Sequence, residues 1–434
     1  MAVNLSSAAA SPAADVSVHT RRLIGVRLLP FLFVLYIINY LDRTNLAYAA
    51  LGMSRDLGFS DHVYGLGAGI FFISYLALQI PGALLVELWS ARRMISATMI
   101  AWGSLTVLTA LVHTPGQLYV ARFLLGAAEA GFFPGVIVYL SHWFIQEDRA
   151  KATSNFMGAI PLSFAIGSPF AGWILSHSWL AVQGWRWLFI LEGMPAIVLG
   201  IVAFFFLTDW PRDAPWLAPA CRKWIEQTLQ EEAAGAQPAG AWQVLRSRTT
   251  LLLAFLTFLS YFTTYTFAFW FPTMLKRQSG LPDLHLGLLG AIPYLVTFFA
   301  MQINGWHSDK LRERHWHSAV PLFIAAAALP GIMSQPPSLA FAMVFFTMVA
   351  MAYSYLPTFW AIPTELLRNS GAATAVGFIN AVGSAAGFAG PYLFGYLNTR
   401  TGSFSSGLAL MMVSAVAAAL LVLRIPRTAP AANN

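Results

Sequence analysis

Apolar stretches of about 20 residues follow one another along most of the chain, separated by shorter polar segments. Such stretches predict membrane-spanning helices, because lipid offers no hydrogen-bond partner to an unpaired backbone group. They are too continuous for the strands of a membrane β-barrel, which alternate in polarity over about 10 residues. The pattern predicts an all-α polytopic membrane protein with twelve transmembrane helices, at 28–48, 63–85, 93–112, 117–140, 152–175, 187–208, 250–273, 284–306, 318–335, 339–361, 372–395 and 405–424.

One long polar connection divides these stretches into two sets of six. It includes the polar piece CRKWIEQTLQEE, which predicts a short helix, and then AAGAQPAGA, which is typical of a flexible linker. Residues 1–20 are polar and rich in Ala and Ser, and they predict a disordered tail. We therefore divide the chain into a tail, a six-helix bundle, a central loop, a second six-helix bundle and a tail, at 1–27, 28–209, 210–248, 249–424 and 425–434.

The two halves repeat each other at an offset of 222 residues. ALLVELWSARR after the second stretch corresponds to GWHSDKLRER after the eighth, and GSPFAG in the fifth corresponds to AGPYLFG in the eleventh. The matching positions are Glu87 with Asp309, Arg92 with Arg314, and Pro169 with Pro391. A duplicated six-helix unit predicts two pseudo-symmetric bundles with a substrate site between them, near the middle of the membrane.

Composition and charge narrow the function further. Only 10% of the residues are charged, where soluble proteins carry about 25%. The net charge of +7 comes from loop lysines and arginines, so we expect no nucleic-acid partner. The excess of these residues on one side places both termini in the cytoplasm and predicts a multi-pass protein of a bacterial inner membrane.

The sequence shows no sign of a metal, a cofactor or enzyme chemistry. Cys221 is the only cysteine, which excludes an intramolecular disulfide and a cysteine-based metal site. The nine histidines lie in loops or near helix ends, so we expect no metal site. No glycine-rich phosphate loop or catalytic triad is present, and we expect a protein that is not an enzyme.

The fourth apolar stretch, QLYVARFLLGAAEAGFFPGVIVYL, contains two charged residues, Arg122 and Glu129. Seven residues apart, they lie on one helix face and about 10 Å apart along the axis. A charge at the centre of a membrane helix costs at least about 2.5–3.5 kcal/mol, so a role that offsets this cost is expected. The role is either functional or that of a buried ion pair that holds helices in register.

The first apolar stretch carries a polar stripe of Tyr36, Asn39, Tyr40 and Arg43 at helical spacing, and we expect this stripe to contact the substrate. Asp42 lies about 100° around the helix from Arg43, so the two do not pair directly. We expect Arg43 and Arg122 in the outer half of the membrane, sharing one cavity with Asp42 and Glu129. Because arginine binds carboxylates through a planar fork, this cavity suits an organic anion.

The second half does not duplicate these charges. The corresponding positions are Thr264, Tyr265, Val344 and Met351, so we expect ionic contacts from the first half and neutral contacts from the second. Neutral candidates near the substrate are Tyr75, Gln79, Tyr261, Tyr265, Tyr294, Tyr353, Trp360 and Asn380. Two further acids, Glu192 and Glu365, stand close to the ends of apolar stretches, and we expect them at the membrane interfaces.

The repeated loop motifs, the twelve stretches and the long central loop resemble the major facilitator superfamily. NYLDRTNL, ARFLLGAAEAGFFPGVIVYLSHWF and GWRWLFILEGMPAIVLG resemble its anion:cation symporter family, in particular the tartrate and 4-hydroxyphenylacetate branch. The resemblance implies that Arg43 and Arg122 bind substrate and that Asp42 and Glu129 carry protons. It also implies that Tyr75 and Gln79 lie near the substrate.

The loop motifs resemble the superfamily's gating loops. This implies a gating role for Glu87, Arg92 and Arg93, and for the second copy with Asp309, Lys310 and Arg314. The alternative is a basic loop that only sets membrane orientation. Ala83 and Glu87 depart from the superfamily's usual Gly and Asp, although glutamate keeps the charge.

The expected function is proton-coupled import of a small organic anion by alternating access, with the proton as coupling ion and a monomeric protein in the bilayer. Tartrate or a related hydroxy acid is the first substrate hypothesis, and an aromatic acid such as 4-hydroxyphenylacetate is the second. A drug or metabolite:proton antiporter stays open, because GSPFAG partly resembles an antiporter motif. A non-transporting sensor or an anion channel is a further alternative.

Overall fold

A computed structural model describes residues 12–234, 245–366 and 372–426. The first half contains six spans: the first at Pro12–Leu57, the second at Asp61–Leu88, the third at Ala91–Thr109, the fourth at Pro115–Glu129 and Phe132–Trp143, the fifth at Gln146–Met157 and Ala159–Leu175, and the sixth at Gly184–Phe206. The second half contains the seventh at Arg248–Ser279, the eighth at Asp283–Leu311, the ninth at His315–Met333, the tenth at Leu339–Ala350, Met351–Tyr355 and Leu356–Leu366, the eleventh at Ala372–Thr401 and the twelfth at Ser405–Leu423.

The predicted all-α, twelve-helix architecture is confirmed. Within the described residues, nine helical segments are long and apolar enough to cross a membrane. The third, fifth and eleventh spans complete the twelve. The third opens with Arg92 and Arg93, and the fifth is interrupted at Gly158, which explains why neither forms one long apolar helix.

Among the described residues, the two most extensive helix crossings between the halves join the second span to the eleventh and the fifth to the eighth. Glycines permit the close approach at both. A Cβ on Gly172 would lie 2.8 Å from the Cα of Gly287, and a Cβ on Gly395 would lie 3.3 Å from the Cα of Gly65. Gly65 and Gly287 are 222 residues apart, so the repeat seen in the sequence is also a repeat in how the halves pack.

Three of the twelve spans are broken near their middle. The fourth is interrupted at Ala130–Gly131, directly after Glu129, and the fifth at Gly158. The tenth passes through a 3-10 segment at Met351–Tyr355. Broken membrane helices expose backbone groups, which lipid cannot satisfy, so such breaks face protein or a cavity.

The chain is helical from Pro12 onwards, so the prediction of a disordered tail is wrong for residues 12–20. Thr20 is fully buried, and the guanidinium of Arg21 binds Asp148 at 2.7 Å. These contacts with the fifth span order a segment whose composition alone predicts a flexible chain. The central connection contains a 3-10 turn at Pro211–Asp213 and a helix at Pro219–Ala234.

Candidate functional site

A cavity lies between the two halves. We call it the central cavity, and its lining residues are Tyr36, Tyr40, Arg43, Tyr75, Phe133, Met157, Ile160, Tyr261, Tyr265, Leu356, Trp360, Asn380 and Ser384. Eight of these were candidates for substrate contact from the sequence: Tyr36, Tyr40, Arg43, Tyr75, Tyr261, Tyr265, Trp360 and Asn380. Arg43 is the one charged residue in this lining, and it belongs to the first half.

The guanidinium of Arg43 is held by an acid and by aromatic rings. Its Nη2 donates a hydrogen bond to Oε1 of Glu129 in the fourth span. Its Cζ lies 5.0 Å from the ring centroid of Tyr40 and 5.0 Å from that of Tyr75. Cation–π contacts of this kind are worth up to about 2 kcal/mol where water is excluded. Arg43 is therefore fixed in the cavity wall while remaining charged.

Glu129 neutralises Arg43 from behind the cavity wall. Its side chain is 1% exposed and does not line the cavity. Its second oxygen, Oε2, has no hydrogen-bond partner among the described residues. Removing one member of a buried ion pair costs about 3–5 kcal/mol, because the other charge is left uncompensated. Separation of Arg43 and Glu129 is therefore costly unless another group takes the place of the missing partner.

Arg122 lies deeper in the first half than the sequence suggests and does not line the central cavity. It is fully buried, and its Nε donates to the carbonyl of Gly67 at 3.4 Å. The ring of Phe71 lies 4.9 Å from the Cζ of Arg122 and 5.5 Å from that of Arg43. Phe71 therefore contacts both guanidinium groups, and only Arg43 is in the wall of the central cavity.

Asp42 also lies away from the cavity, on the side of the first span that faces the third. It is fully buried, and its Oδ2 accepts a hydrogen bond from the indole of Trp102 at 2.8 Å. The amide of Asn45 donates to Oδ1 at 3.4 Å. The structure brings Arg43 and Glu129 into contact and places Asp42 elsewhere in the same bundle.

Tyrosines make up much of the cavity wall. Tyr36 stacks on Phe156 at 3.9 Å between ring centroids and meets Tyr40 edge-on at 5.0 Å. From the second half, the hydroxyl of Tyr261 donates to Oδ1 of Asn380 at 3.4 Å. These side chains combine apolar ring faces with hydroxyl and amide groups that can bind a polar solute.

Some predicted contacts are absent from the lining, and some lining residues were missed. Asn39, Gln79, Tyr294 and Tyr353 are buried but do not line the cavity. The missed lining residues are Phe133, Met157, Ile160, Leu356 and Ser384. Four of them stand within three residues of a helix break, and the glycines at 131 and 158 mark two of these breaks in the sequence.

An even number of spans puts the two ends of the chain on one face, here called the terminal face; the other is the distal face. At the distal face, Asp61 binds Arg277 at 2.5 Å and also accepts a hydrogen bond from Asn398. Arg55 binds Asp283 at 3.1 Å. In the part of the chain that the structure describes, these are the ion pairs that join the two halves, and we call the five residues the distal clamp.

The first loop motif is anchored at the terminal face by a residue the sequence did not reveal. Asp209 accepts hydrogen bonds from the backbone N–H of Arg92 at 2.9 Å and from the hydroxyl of Ser90 at 2.7 Å. The Nε of Arg92 lies 3.7 Å from the same carboxylate. Arg93 is exposed, and the side chain of Glu87 lies outside the described residues.

In the second loop motif, three charged side chains contact residues of the same motif. Arg314 binds Asp309 within the loop, and the ammonium of Lys310 lies 5.3 Å from the ring centroid of Trp306. A side-chain amide of Asn304 donates to the carbonyl of Ser354 at 2.9 Å, which ties the eighth span to the broken tenth. The two copies share sequence positions but differ in their partners.

Glu192 corrects a further expectation. It is 4% exposed and lies inside the first bundle, not at a membrane interface. The side chain of Glu365 is outside the described part of the chain. Counting along the helix from Gly184, Glu192 is about 12 Å from the end of the sixth span.

Comparison with known proteins identifies a family with this architecture. Residues 32–391 match the Major Facilitator Superfamily model. A protein of Agrobacterium vitis named "Putative tartrate transporter" is 39% identical over 96% of both chains, and the "Quinolone resistance transporter" of Acinetobacter baumannii is 33% identical over 90% of this chain and 91% of its own.

A solved structure agrees at the level of the fold. The crystal structure of a bacterial homolog to the human lysosomal transporter Spinster, in an inward-facing and occupied conformation, superimposes with a TM-score of 0.73 at 20% identity, over 93% of this chain and 98% of that chain. The family match and the identity to transporters along most of their length show that this chain is a multi-pass membrane transport protein, not an enzyme, and belongs to the major facilitator superfamily.

Proposed function

We propose that this protein is a secondary active transporter that imports a small organic anion together with protons. The observation that carries the proposal is the pairing of Arg43, the charged residue of the central cavity, with the buried Glu129. A carboxylate that enters the cavity presents the same chemistry to Arg43 as Glu129 does. Substrate and Glu129 therefore compete for one guanidinium.

This competition couples the anion to a proton. When a substrate carboxylate takes the hydrogen bonds of Arg43, the carboxylate of Glu129 loses its cation in a site screened from water. An uncompensated carboxylate there favours its neutral form, so it takes a proton from the solution on the side to which the cavity is open. Return of the ion pair releases the proton and the substrate together on the other side.

The distal clamp supports alternating access. Lysine and arginine are concentrated in the loops of the terminal face, so we propose that this face is cytoplasmic and that the protein lies in the inner membrane. The distal face is then periplasmic, and the clamp closes the protein on that side. Opening to the periplasm requires Asp61 and Asp283 to release their partners in the opposite half.

The cavity wall favours a hydroxy acid such as tartrate. Five tyrosines line the cavity, at positions 36, 40, 75, 261 and 265, and Asn380 adds an amide. Hydroxyl and amide groups both donate and accept hydrogen bonds, which suits a substrate that carries hydroxyl groups beside its carboxylates. The name of the Agrobacterium vitis relative agrees with this substrate class.

An aromatic acid is the second candidate, because the rings of Phe133 and Trp360 also line the cavity. A ring between these side chains could stack while its carboxylate binds Arg43. The relative named for quinolone resistance keeps drug export open, although a charged arginine in the cavity disfavours lipophilic cations.

Uptake by the purified protein in proteoliposomes tests the proposal. We expect radiolabelled tartrate to accumulate when the interior is made alkaline, and to equilibrate without accumulation when the pH gradient is collapsed by a protonophore. Competition by excess 4-hydroxyphenylacetate separates the two substrate candidates. Absence of gradient-driven uptake of either acid would contradict proton-coupled anion import.

Breaking the clamp should open the periplasmic side. Thr273 is 8% exposed beside the clamp, so a Thr273→Cys reporter in a Cys221→Ser background measures opening through its rate of maleimide labelling. Adding Asp61→Asn is expected to raise this rate roughly 2- to 5-fold, since a part-exposed ion pair is worth up to about 1 kcal/mol.

The matched control for the clamp is Asp56→Asn. Asp56 lies near the same face, but its partners Gln183 and Trp185 belong to its own half. Its substitution should leave the labelling rate of Thr273→Cys unchanged. Equal labelling rates in the Asp61 and Asp56 variants would show that the clamp does not hold the halves together.

A further inference from the structure

Two histidines at the terminal face bind each other directly. Nδ1 of His307, near the end of the eighth span, lies 2.7 Å from Nε2 of His317, in the first turn of the ninth. On the other side of the His317 ring, Nδ1 lies 2.7 Å from Oε2 of Glu313. We call His307 and His317 the histidine pair. The coupling step described above does not use it.

These contacts determine which atoms carry hydrogen. Glu313 is partly buried, but hydrogen bonds from the backbone N–H of Trp316 at 2.8 Å and from His317 hold the pKa of its carboxyl group below the usual range. A carboxylate only accepts, so Nδ1 of His317 is the donor to Glu313. In the neutral pair, Nε2 of His317 then has a lone pair, and Nδ1 of His307 donates to it.

The histidine pair can hold one added proton but not two. A single proton leaves one ring as a donor and the other as an acceptor, so the bond between the rings persists. A second proton places two N–H groups and two positive charges against each other at 2.7 Å, and the bond is lost. Histidine commonly changes charge between about pH 5 and 8, so this bond responds to physiological acidification.

The neighbouring groups do not compensate a second positive charge. The other charged or titratable groups on the eighth span, the loop and the ninth span are Asp309, Lys310, Arg312, Arg314 and His315. Asp309 is already paired with Arg314. The tenth span contributes neutral groups here, the carbonyl of Ser354 and the hydroxyl of Thr358. In the described part of the chain, Glu313 is the acid that binds the pair.

The histidine pair lies at a junction of three spans. Asn304, one turn before His307, donates to the carbonyl of His317 at 2.8 Å and to that of Ser354 at 2.9 Å. Ser354 belongs to the 3-10 break of the tenth span, two residues before Leu356 of the cavity lining. Loss of the bond between the two rings therefore weakens a junction that continues into the wall of the central cavity.

We propose that the histidine pair is a proton-binding site that slows transport when the terminal face becomes acidic. Alternating access moves each half largely as a rigid body. Separation of His307 from His317 loosens the second half at this junction, so the motion is transmitted less well. The proposed import brings protons to this face, and the site then acts as negative feedback. This regulatory role rests on the proposed function, whereas proton binding by the pair does not.

Thermal unfolding of the purified protein tests proton binding without any transport. The folded pair resists a second proton and the unfolded chain does not, so the unfolded state binds more protons in acid and stability falls as the pH is lowered. Between about pH 7.5 and about pH 6, we expect the Tm of His307→Gln to fall about 1–2 °C less than that of the unmodified protein. His19→Gln, an exposed histidine near the start of the first span, should behave like the unmodified protein. An equal fall in His307→Gln would overturn the site.

Tartrate counterflow in proteoliposomes tests the regulatory role. Equal pH on both sides removes the proton gradient and makes the orientation of the protein unimportant. Over the same pH interval, the rate of the unmodified protein should fall roughly 2- to 10-fold more than that of His307→Gln, the range expected for loss of one hydrogen bond.

His317→Gln removes the other member of the pair and decides the test if His307→Gln folds poorly. It should show the same reduced pH dependence, and the double variant should show no further reduction. Ratios of rates between the two pH values that match the unmodified protein in both single variants would overturn the regulatory role. Absence of counterflow in the unmodified protein would instead contradict the proposed function, while the unfolding measurement still decides whether the pair binds protons.

Discussion

Arg43→Gln is expected to abolish accumulation of the organic anion and to weaken its binding more than any other single change in the cavity wall. A hydrogen bond to a charged group contributes about 1.5–3 kcal/mol, so the Kd for tartrate should rise on the order of 10- to 100-fold. Calorimetry or substrate-induced thermal stabilisation of the purified protein measures this change.

Tartrate binding should depend on arginine at position 43 and not only on a positive charge there. Arg43→Lys keeps the positive charge but loses the planar fork that binds a carboxylate through two N–H groups, so partial binding is expected. The exposed Arg212→Gln, far from the cavity, is the control for loss of an arginine as such. Tartrate affinity that is unchanged in Arg43→Gln would remove the cavity from the substrate pathway.

Loss of Arg43 also leaves Glu129 without its cation, and this effect must be separated from loss of the substrate contact. The double variant Arg43→Gln with Glu129→Gln replaces a buried ion pair by two neutral amides. We expect it to regain the stability that Arg43→Gln loses, while tartrate binding stays weak. Recovery of binding in the double variant would show that Arg43 acts only through Glu129.

Glu129→Gln is the second change with a large expected effect, and it should separate exchange from accumulation. Glutamine can still accept a hydrogen bond from Arg43, but it cannot take up and release a proton. Counterflow of labelled against unlabelled tartrate is therefore expected to continue, while accumulation driven by a pH gradient falls to the level of passive equilibration.

The pH dependence of binding gives the matching equilibrium result for Glu129. In the unmodified protein, a proton must replace Arg43 on Glu129 when substrate binds, so affinity should weaken as the pH rises. In Glu129→Gln this part of the dependence should disappear. Accumulation that persists at its normal level in Glu129→Gln would exclude Glu129 as a proton carrier.

The local pattern of the sequence was enough to predict much of this protein. The bilayer constrains the apolar length of each span and the charge of each loop independently of the other segments. The twelve spans could therefore be predicted one at a time from the sequence. Helical geometry placed Asp42 on a different face from Arg43, and in the structure Asp42 faces the third span instead of the cavity. The offset of 222 residues predicted two halves, which the matching crossings at Gly65 and Gly287 display.

Only the tertiary structure decided which charges meet. Arg122 and Glu129 share a helix face, yet Glu129 pairs with Arg43 of the first span, 86 residues away in the sequence. Phe71 of the second span contacts both guanidinium groups, and Arg122 does not line the cavity. Glu192 is likewise buried in the first bundle, where Gly103 of the third span and Gly193 of the sixth allow their backbones to touch. The sequence by itself determined the elements, their number and the presence of buried charges. Their partners depend on contacts between distant segments, which no local periodicity encodes.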